Sequence, residues 1–491
     1  MRITTIRAMG FFFLSAIAIQ TVNAQKPIAL HPDNPHYFLY KGKPTVLVSS
    51  AEHYGAVLNT AFDYRTYFAI LKQHGFNQTR MFSGFYREGK PYNQQTEKPF
   101  EWEHMQNTLA PRPGKFITPW VEVQPSTNEK NAVYNLNQWN PEYFKRLKDY
   151  LTEAAKHDVI VEVVLFTAIY TKTYWSTSPL NPKNNNGATG TEVSYIEFHS
   201  PEHKLLRSRQ LAMVEKIVKE VNEFDNIYFE ICNEPYWLKG IPEEEPTIKE
   251  QLFLPEFEEW QRDVAATITK TESTLPKKHL IAQNIANNYK KVDELNPSVS
   301  IVNFHYSFPP RAVTENYSLS KPISFDETGD GCNAPDRRIE AWAFMLAGGA
   351  VYSNLDWSFS NDDVTGLGRN PSGKRESGQE VRSQLNVLLK TLNSFDFVKS
   401  SPVTSKIKLK DGVLAYGIGV TAKDYLIYCV KQHVVPFEKL EVELPPGQYK
   451  VKIIDPIDGK EISSQSITQQ ADGIVVPLPE FADDILVRIM K

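Results

Sequence analysis

Residues 227–235 read Ile227-Tyr228-Phe229-Glu230-Ile231-Cys232-Asn233-Glu234-Pro235. The apolar, β-branched and aromatic start fits a buried strand. The run ends in Asn-Glu-Pro, and a proline cannot extend a central strand because it has no N–H to give. Glu234 is therefore expected at the carboxyl end of a strand, where the chain leaves the sheet. A second strand candidate ends the same way, at Phe325-Asp326-Glu327-Thr328-Gly329. Two glutamates closing two strands suggest a pair of opposed carboxylates.

Outward from these two endings, short apolar runs alternate with amphipathic ones. The strand candidates are residues 45–49, 78–83, 159–166, 226–232, 279–283, 300–305, 323–325 and 350–355. Helical patterns cover 64–74, 141–157, 204–224, 254–271 and 336–348, and a further helix over 379–392 follows a loop at 359–377 rich in Gly, Asn, Asp and Ser. Alternation of this kind implies parallel βαβ units, and eight of them imply an α/β fold closed as a (β/α)8 (TIM) barrel. Chemistry on such barrels collects at the carboxyl ends of the strands. The longest irregular stretches lie there. Residues 84–136 carry Tyr86, Tyr92, Trp102 and Trp120; residues 167–193 carry Tyr170, Tyr174 and Trp175; Trp237 follows the fourth strand. These loops are expected to wall a cleft, as a pocket for exo action or a groove for endo action. Aromatic residues make up 12% of the chain, and sugar-binding clefts use them as flat stacking platforms.

The two ends differ in texture. Residues 1–24 read as a cleavable secretory signal: Arg2 and Arg7, an apolar run from Phe11 to Ile19, and the small-residue cut site Val22-Asn23-Ala24. The run is too short to span a bilayer, so a secreted or periplasmic protein is expected. After residue 395 the helical patterns stop. Short alternating runs at 414–418, 424–430, 440–444, 450–454, 474–477 and 485–489, separated by turns such as Pro445-Pro446-Gly447, predict a small all-β sandwich over 396–491. The expected organisation is a signal at 1–24, the barrel at 25–395 and the sandwich at 396–491. A formal charge of −4 gives no basic face for nucleic acid or anionic membrane. Cys232, Cys332 and Cys429 form no disulfide framework; Cys232 closes the fourth strand and Cys332 follows the seventh, on the same face of the barrel, so a bridge between them is the alternative to free thiols. No metal-ligand spacing is present.

With these residues in place, the chain resembles glycoside hydrolase clan A, whose (β/α)8 retaining enzymes carry glutamates on strands four and seven. The resemblance rests on Asn233-Glu234-Pro235, on Gly75-Phe76-Asn77-Gln78-Thr79-Arg80 at the second strand, on His305 and Tyr306 at the sixth, Glu327 at the seventh and Trp357 at the eighth. It runs over about residues 40–395 in the clan's order. It implies a glycosidase in which Glu234 is the acid/base and Glu327 the nucleophile, with no cofactor, acting on a poly- or oligosaccharide. One carboxyl must carry a proton for the leaving oxygen and the other must be ionised to attack the anomeric carbon. Arg80 would keep Glu327 charged, Asn233 would bond the sugar 2-hydroxyl, Tyr306 would orient Glu327 and Trp357 would floor the sugar site. His53, His305, Trp237 and Trp175 complete the expected substrate-binding set. Strand alternation points Asp326 away from Glu327, and Glu230 shares Glu234's parity, so an ion pair between Glu230 and Arg80 is expected.

Two departures from family 5 stand out. No histidine follows the third strand, where Phe166-Thr167-Ala168-Ile169-Tyr170 stands, and the tyrosine after His305 comes one position on instead of two. The terminal domain resembles the collagen-binding-type sandwich that follows such barrels; it has no tryptophan and reads as a structural domain. Two other readings remain open: a glycan- or matrix-binding protein that kept the barrel without catalysis, and a transglycosylase using the same carboxylates.

Overall fold

Eight five- to eight-residue segments are buried along nearly their whole length: Leu47–Ala51 (β1), Gln78–Phe82 (β2), Ile160–Thr167 (β3), Ile227–Asn233 (β4), Ile281–Asn287 (β5), Ile301–His305 (β6), Ile323–Glu327 (β7) and Val351–Leu355 (β8). Continuous burial is what a parallel strand needs when one face meets the barrel interior and the other meets helices. The computed structural model describes residues 26–52, 54–88, 108–112, 114–125, 132–170, 172–235, 255–328, 334–367, 378–470 and 473–491. Hydrogen-bonded neighbours run β1-β8-β7-β6-β5-β4-β3-β2, and these pairings are parallel.

Side chains complete the ring between β1 and β2. Asn77 accepts from Val48 N at 3.1 Å and donates to Val46 O at 2.8 Å, and Thr79 Oγ1 donates to Glu52 O at 2.9 Å. The amide of Asn77 thus does the work of a ladder rung. Asn77→Ala is expected to cost about 1–2 kcal/mol, because it strands two backbone groups. A urea melt indistinguishable from wild type would contradict this closure.

The long helices are Tyr64–Gln73 (α1), Pro141–Lys156 (α2), Lys204–Val221 (α3), Pro255–Ser273 (α4), Ala334–Leu346 (α5) and Gln379–Asn393 (α6). Their starts follow from sequence. Asp63 caps α1 by accepting from Arg65 N and Thr66 N, and Asn140 caps α2 with Pro141 in its first turn. Residues 288–300 join β5 to β6 without a helix. None of the helices among the described residues is long and apolar enough to cross a membrane.

The terminal domain has a six-stranded and a three-stranded sheet. In the strand Asp424–Lys431 the residues alternate, but both faces are buried. Leu426, Tyr428 and Val430 join the core of the barrel, while Tyr425, Ile427 and Cys429 join the sandwich's own core. Trp342 of α5 stacks on Tyr428 with ring centroids 5.7 Å apart. Arg338, also on α5, donates twice to Asp484, each bond 2.8 Å, and Tyr428 donates to the same carboxylate at 2.6 Å. A strand at Glu461–Gln469 was not among the expected ones. It is mostly exposed, lies at the end of the larger sheet and reads EISSQSITQ, so it lacks the apolar alternation that marks a half-buried strand.

Among the described residues, Cys232 and Cys429 are buried free thiols, with no bridge from Cys232. Its sulfur lies 3.7 Å from His199 Nε2, and burial takes the His199 imidazole down to about 3, leaving it neutral. Cys332 lies outside the described residues.

Candidate active site

Asn233 is the last residue of β4, and Glu234 turns out of the strand with a φ of +52°. That left-handed conformation is costly for a residue with a side chain, of the order of 1–3 kcal/mol. The strained peptide is held by a bond from Glu234 N to Asn284 Oδ1 of β5, 3.2 Å long. Tyr306, just after β6, has the same φ of +52°, and its N–H donates to Glu327 O at 3.0 Å. Its hydroxyl returns to Glu327 Oε1 at 3.0 Å. The left-handed turn thus lets a tyrosine one position after the histidine reach the carboxylate.

Arg80 lies beneath, fully buried. It donates to Glu327 Oε2 at 3.1 Å, to Glu230 Oε2 at 2.6 Å and to Asn233 Oδ1 at 2.8 Å. Asn233 in turn donates to Tyr170 OH at 2.9 Å and Thr167 Oγ1 at 3.2 Å. Glu234 receives a bond from Tyr170 OH at 3.0 Å on Oε2 and meets His305 Nδ1 at 3.2 Å on Oε1. Glu234, His305 and Glu327 each bring one nitrogen or oxygen within 4.8 Å of the others.

Asp326 does not point away. The β6–β7 register slips between Phe304, paired with Phe325, and His305, paired with Glu327. The extra residue is Asp326, and such a bulge re-aims side chains. Its Oδ2 accepts from Asn303 at 2.9 Å and lies 3.4 Å from Arg80 Nε, while its Oδ1 is 3.6 Å from His305 Nε2. Strict alternation fails where the bulge sits.

Five carboxyls therefore crowd one buried space: Glu162, Glu230, Glu234, Asp326 and Glu327, each at most 9% exposed. Arg80 and His305 face them. Burial pushes Glu327 up, Glu234 adds to that, and His305, Arg80 and Tyr306 pull it back. Burial pushes Asp326 up to about 6 against Arg80 and His305, and carries Glu162 well above the carboxylate range with help from Asp326 and Glu230. For His305 burial alone would favour the neutral ring, but Glu327, Glu234 and Asp326 outweigh it and raise it to about 9. Arg80 and His305 supply the positive charge where His, Glu and Asp atoms converge.

Of the other expected residues, Trp357 is buried just beyond β8. Its neighbour Asp356 is tied to Arg382 at 2.6 Å and to Ser50 at 2.8 Å. Trp175 is buried too, but its indole N–H donates to Val193 O at 2.7 Å and its ring packs edge-on against Phe198. Those contacts belong to the packing of the loop. His53, Trp237, Tyr92 and Trp102 lie outside the described residues. The residues that sequence reasoning missed are Tyr170, Thr167, Asn284, Asn303 and Glu162. Tyr170 had a signal: a polar aromatic in the stretch after the third strand, where a histidine was missing.

Glu52, at the mouth of β1, is also buried. Its Oε1 accepts from Tyr54 N and Gly55 N, while Oε2 has no partner. Burial raises its carboxyl from 4.5 to about 7 despite those bonds. In the unfolded chain it ionises near 4.5, so between about 4.5 and 7 the folded state binds the extra proton and stability falls as pH rises. Glu52→Gln is therefore expected to raise the melting temperature at pH 8, by about 1–3 kcal/mol of stability, and to change it little at pH 4. Equal effects at both pH values would contradict this.

No protein-family model matches the sequence, and no curated protein is detectably similar to it. Solved structures match the fold. A glycoside hydrolase structure superposes with a TM-score of 0.60 at 11% identity, covering 95% of this chain and 97% of that one. A glycoside hydrolase family 5 structure from Bacteroides vulgatus ATCC 8482 gives 0.60 at 12% identity, covering 94% and 93%. At this coverage the similarity takes in the barrel and most of the terminal sandwich.

Proposed function

We propose that this chain is an exported retaining glycosidase of the clan A type, with Glu327 as nucleophile and Glu234 as acid/base. The observation that carries the reading is the approach of Glu234 and Glu327, with an oxygen of each within 4.8 Å of the other. Retaining enzymes hold their carboxyls about 5–5.5 Å apart, whereas inverting enzymes leave about 6.5–9.5 Å for a water. The shared fold of the glycoside hydrolase structures supports the same reading.

Each neighbour then has a chemical task. Arg80 and Tyr306 hold Glu327 by one oxygen each and favour its ionised form against burial. Glu327 attacks the anomeric carbon while Glu234 gives its proton to the departing oxygen. The covalent glycosyl ester is then cleaved by water, whose proton returns to Glu234. Tyr170 holds both Asn233 and Glu234, so the acid and the amide expected near the sugar 2-hydroxyl move as one unit. The leader-like residues 1–24 support export, and the carboxylate pair supports a poly- or oligosaccharide substrate.

The test is release of sugar or aryl alcohol from a panel of aryl glycosides and polysaccharides. Cleavage of at least one member is expected. A protein that binds glycans on the panel but cleaves none would replace this reading with that of a binding protein.

A further inference from the structure

We propose that Asp326, His305 and Glu234 form a proton relay in which Asp326 is a positioning residue, keeping a proton on His305 Nε2 so that one further proton is shared between His305 Nδ1 and Glu234. The proposal rests on the glycosidase reading for its catalytic meaning, and on geometry for its existence. His305 is fully buried and lies between two acids: Nδ1 is 3.2 Å from Glu234 Oε1, and Nε2 is 3.6 Å from Asp326 Oδ1. Neither His305 Nε2 nor Asp326 Oδ1 has a hydrogen-bond partner, and at 3.6 Å they are ion-pair neighbours of each other. Two orphaned buried polar atoms that face each other at an ion-pair distance identify each other as partners.

Asp326 is held for this task. Its other oxygen accepts from Asn303 at 2.9 Å and sits beside Arg80 Nε. Asn303 also donates to Glu162 Oε1 at 2.8 Å. Glu162 accepts from the phenol of Tyr228 on Oε2 at 3.0 Å, and burial, with Asp326 and Glu230 nearby, holds its carboxyl well above the usual range. The amide of Asn303 thus fixes Asp326 in place next to the imidazole. The groups facing His305 are Glu234 and Glu230 from β4, Asp326 and Glu327 from β7, with Arg80 from β2 and Glu162 from β3 behind them.

The proton balance is simple. With Nε2–H fixed by Asp326, the second proton of the set lies either on Nδ1, beside an ionised Glu234, or on Glu234, beside a neutral Nδ1. These are one protonation state of a coupled pair. When Glu234 passes its proton to the leaving oxygen, the pair loses that proton, and the water that cleaves the glycosyl ester restores it. Nothing is oxidised or reduced. An orienting carboxylate that fixes the tautomer of a histidine is a recurring catalytic device; here it tunes an acid rather than a nucleophile.

An ionised Asp326 favours the protonated pair, so its removal must shift the alkaline limb of activity downward. Asp326→Asn is expected to move the alkaline limb of kcat/KM to lower pH by about one unit or more. An alkaline limb within about 0.3 unit of wild type would overturn the proposal. The second measurement needs neither a variant nor a substrate: neutron diffraction from deuterated wild-type crystals at pH 7.5. Deuterium on His305 Nε2, one deuterium shared between Nδ1 and Glu234, and a bare Asp326 are expected. A bare Nε2 or a deuterated Asp326 overturns the relay. If no glycoside is cleaved, the glycosidase reading fails, while the neutron result still decides the relay.

Discussion

Glu327→Gln is expected to lower turnover by about 1,000-fold or more on every substrate the protein cleaves. The amide cannot attack the anomeric carbon. It also places an NH2 group or a weaker oxygen against the Arg80 guanidinium, which the carboxylate now satisfies at 3.1 Å. Glu234→Gln should show a split. Substrates with poor leaving groups need the proton and should lose a comparable factor. Activated aryl glycosides should form the glycosyl-enzyme at nearly normal rates, and their turnover should be restored by azide, which needs no general base. A loss below about tenfold at Glu327 would rule it out as the nucleophile.

The second large effect concerns the terminal domain. Arg338→Ala should destabilise the whole chain by about 3–5 kcal/mol, because it leaves Asp484 buried and uncompensated. The Arg338 and Asp484 side chains are 2% and 3% exposed, and Tyr428 and Gln384 complete the bonding. A chain ending at Phe395 should fail to fold as a soluble monomer. It would expose Trp342 and the rest of the surface that Tyr416, Ile418, Leu426, Tyr428, Val430 and Leu486 now cover as part of one continuous core. A single cooperative melt is expected for the full chain. A barrel ending at Phe395 that folds, or a melt with two separable transitions, would instead make the sandwich an independent module.

Much of this architecture was legible because periodicity and chain punctuation obey simple rules. The eight strands fall where apolar runs alternate with helices, and Asn-Glu-Pro marks the end of β4. Strand ends were harder. β5 was expected to stop at residue 283 but runs to Asn287 through Gln283, Asn284 and Asn287. β7 closes at Glu327, as the paired glutamate endings implied, although its apolar run stops at residue 325. Polar residues look like loop signals in a sequence, whereas in a barrel they can line an interior full of hydrogen-bonding partners. The bulge that turns Asp326 inward has no signature in composition. Both faces of Asp424–Lys431 are buried because another domain covers one of them, and local sequence does not reveal that. Tyr170 was legible as an aromatic but not as the group that joins Asn233 to Glu234.

The most direct test of the central claim is to trap the intermediate. Wild-type protein incubated with 2-deoxy-2-fluoro aryl glycosides of the sugar it cleaves should gain the mass of one fluorosugar, mapped by peptide digestion to Glu327, and Glu327→Gln should gain none. Hydrolysis with inversion of the anomeric centre and no adduct on Glu327 would contradict the account.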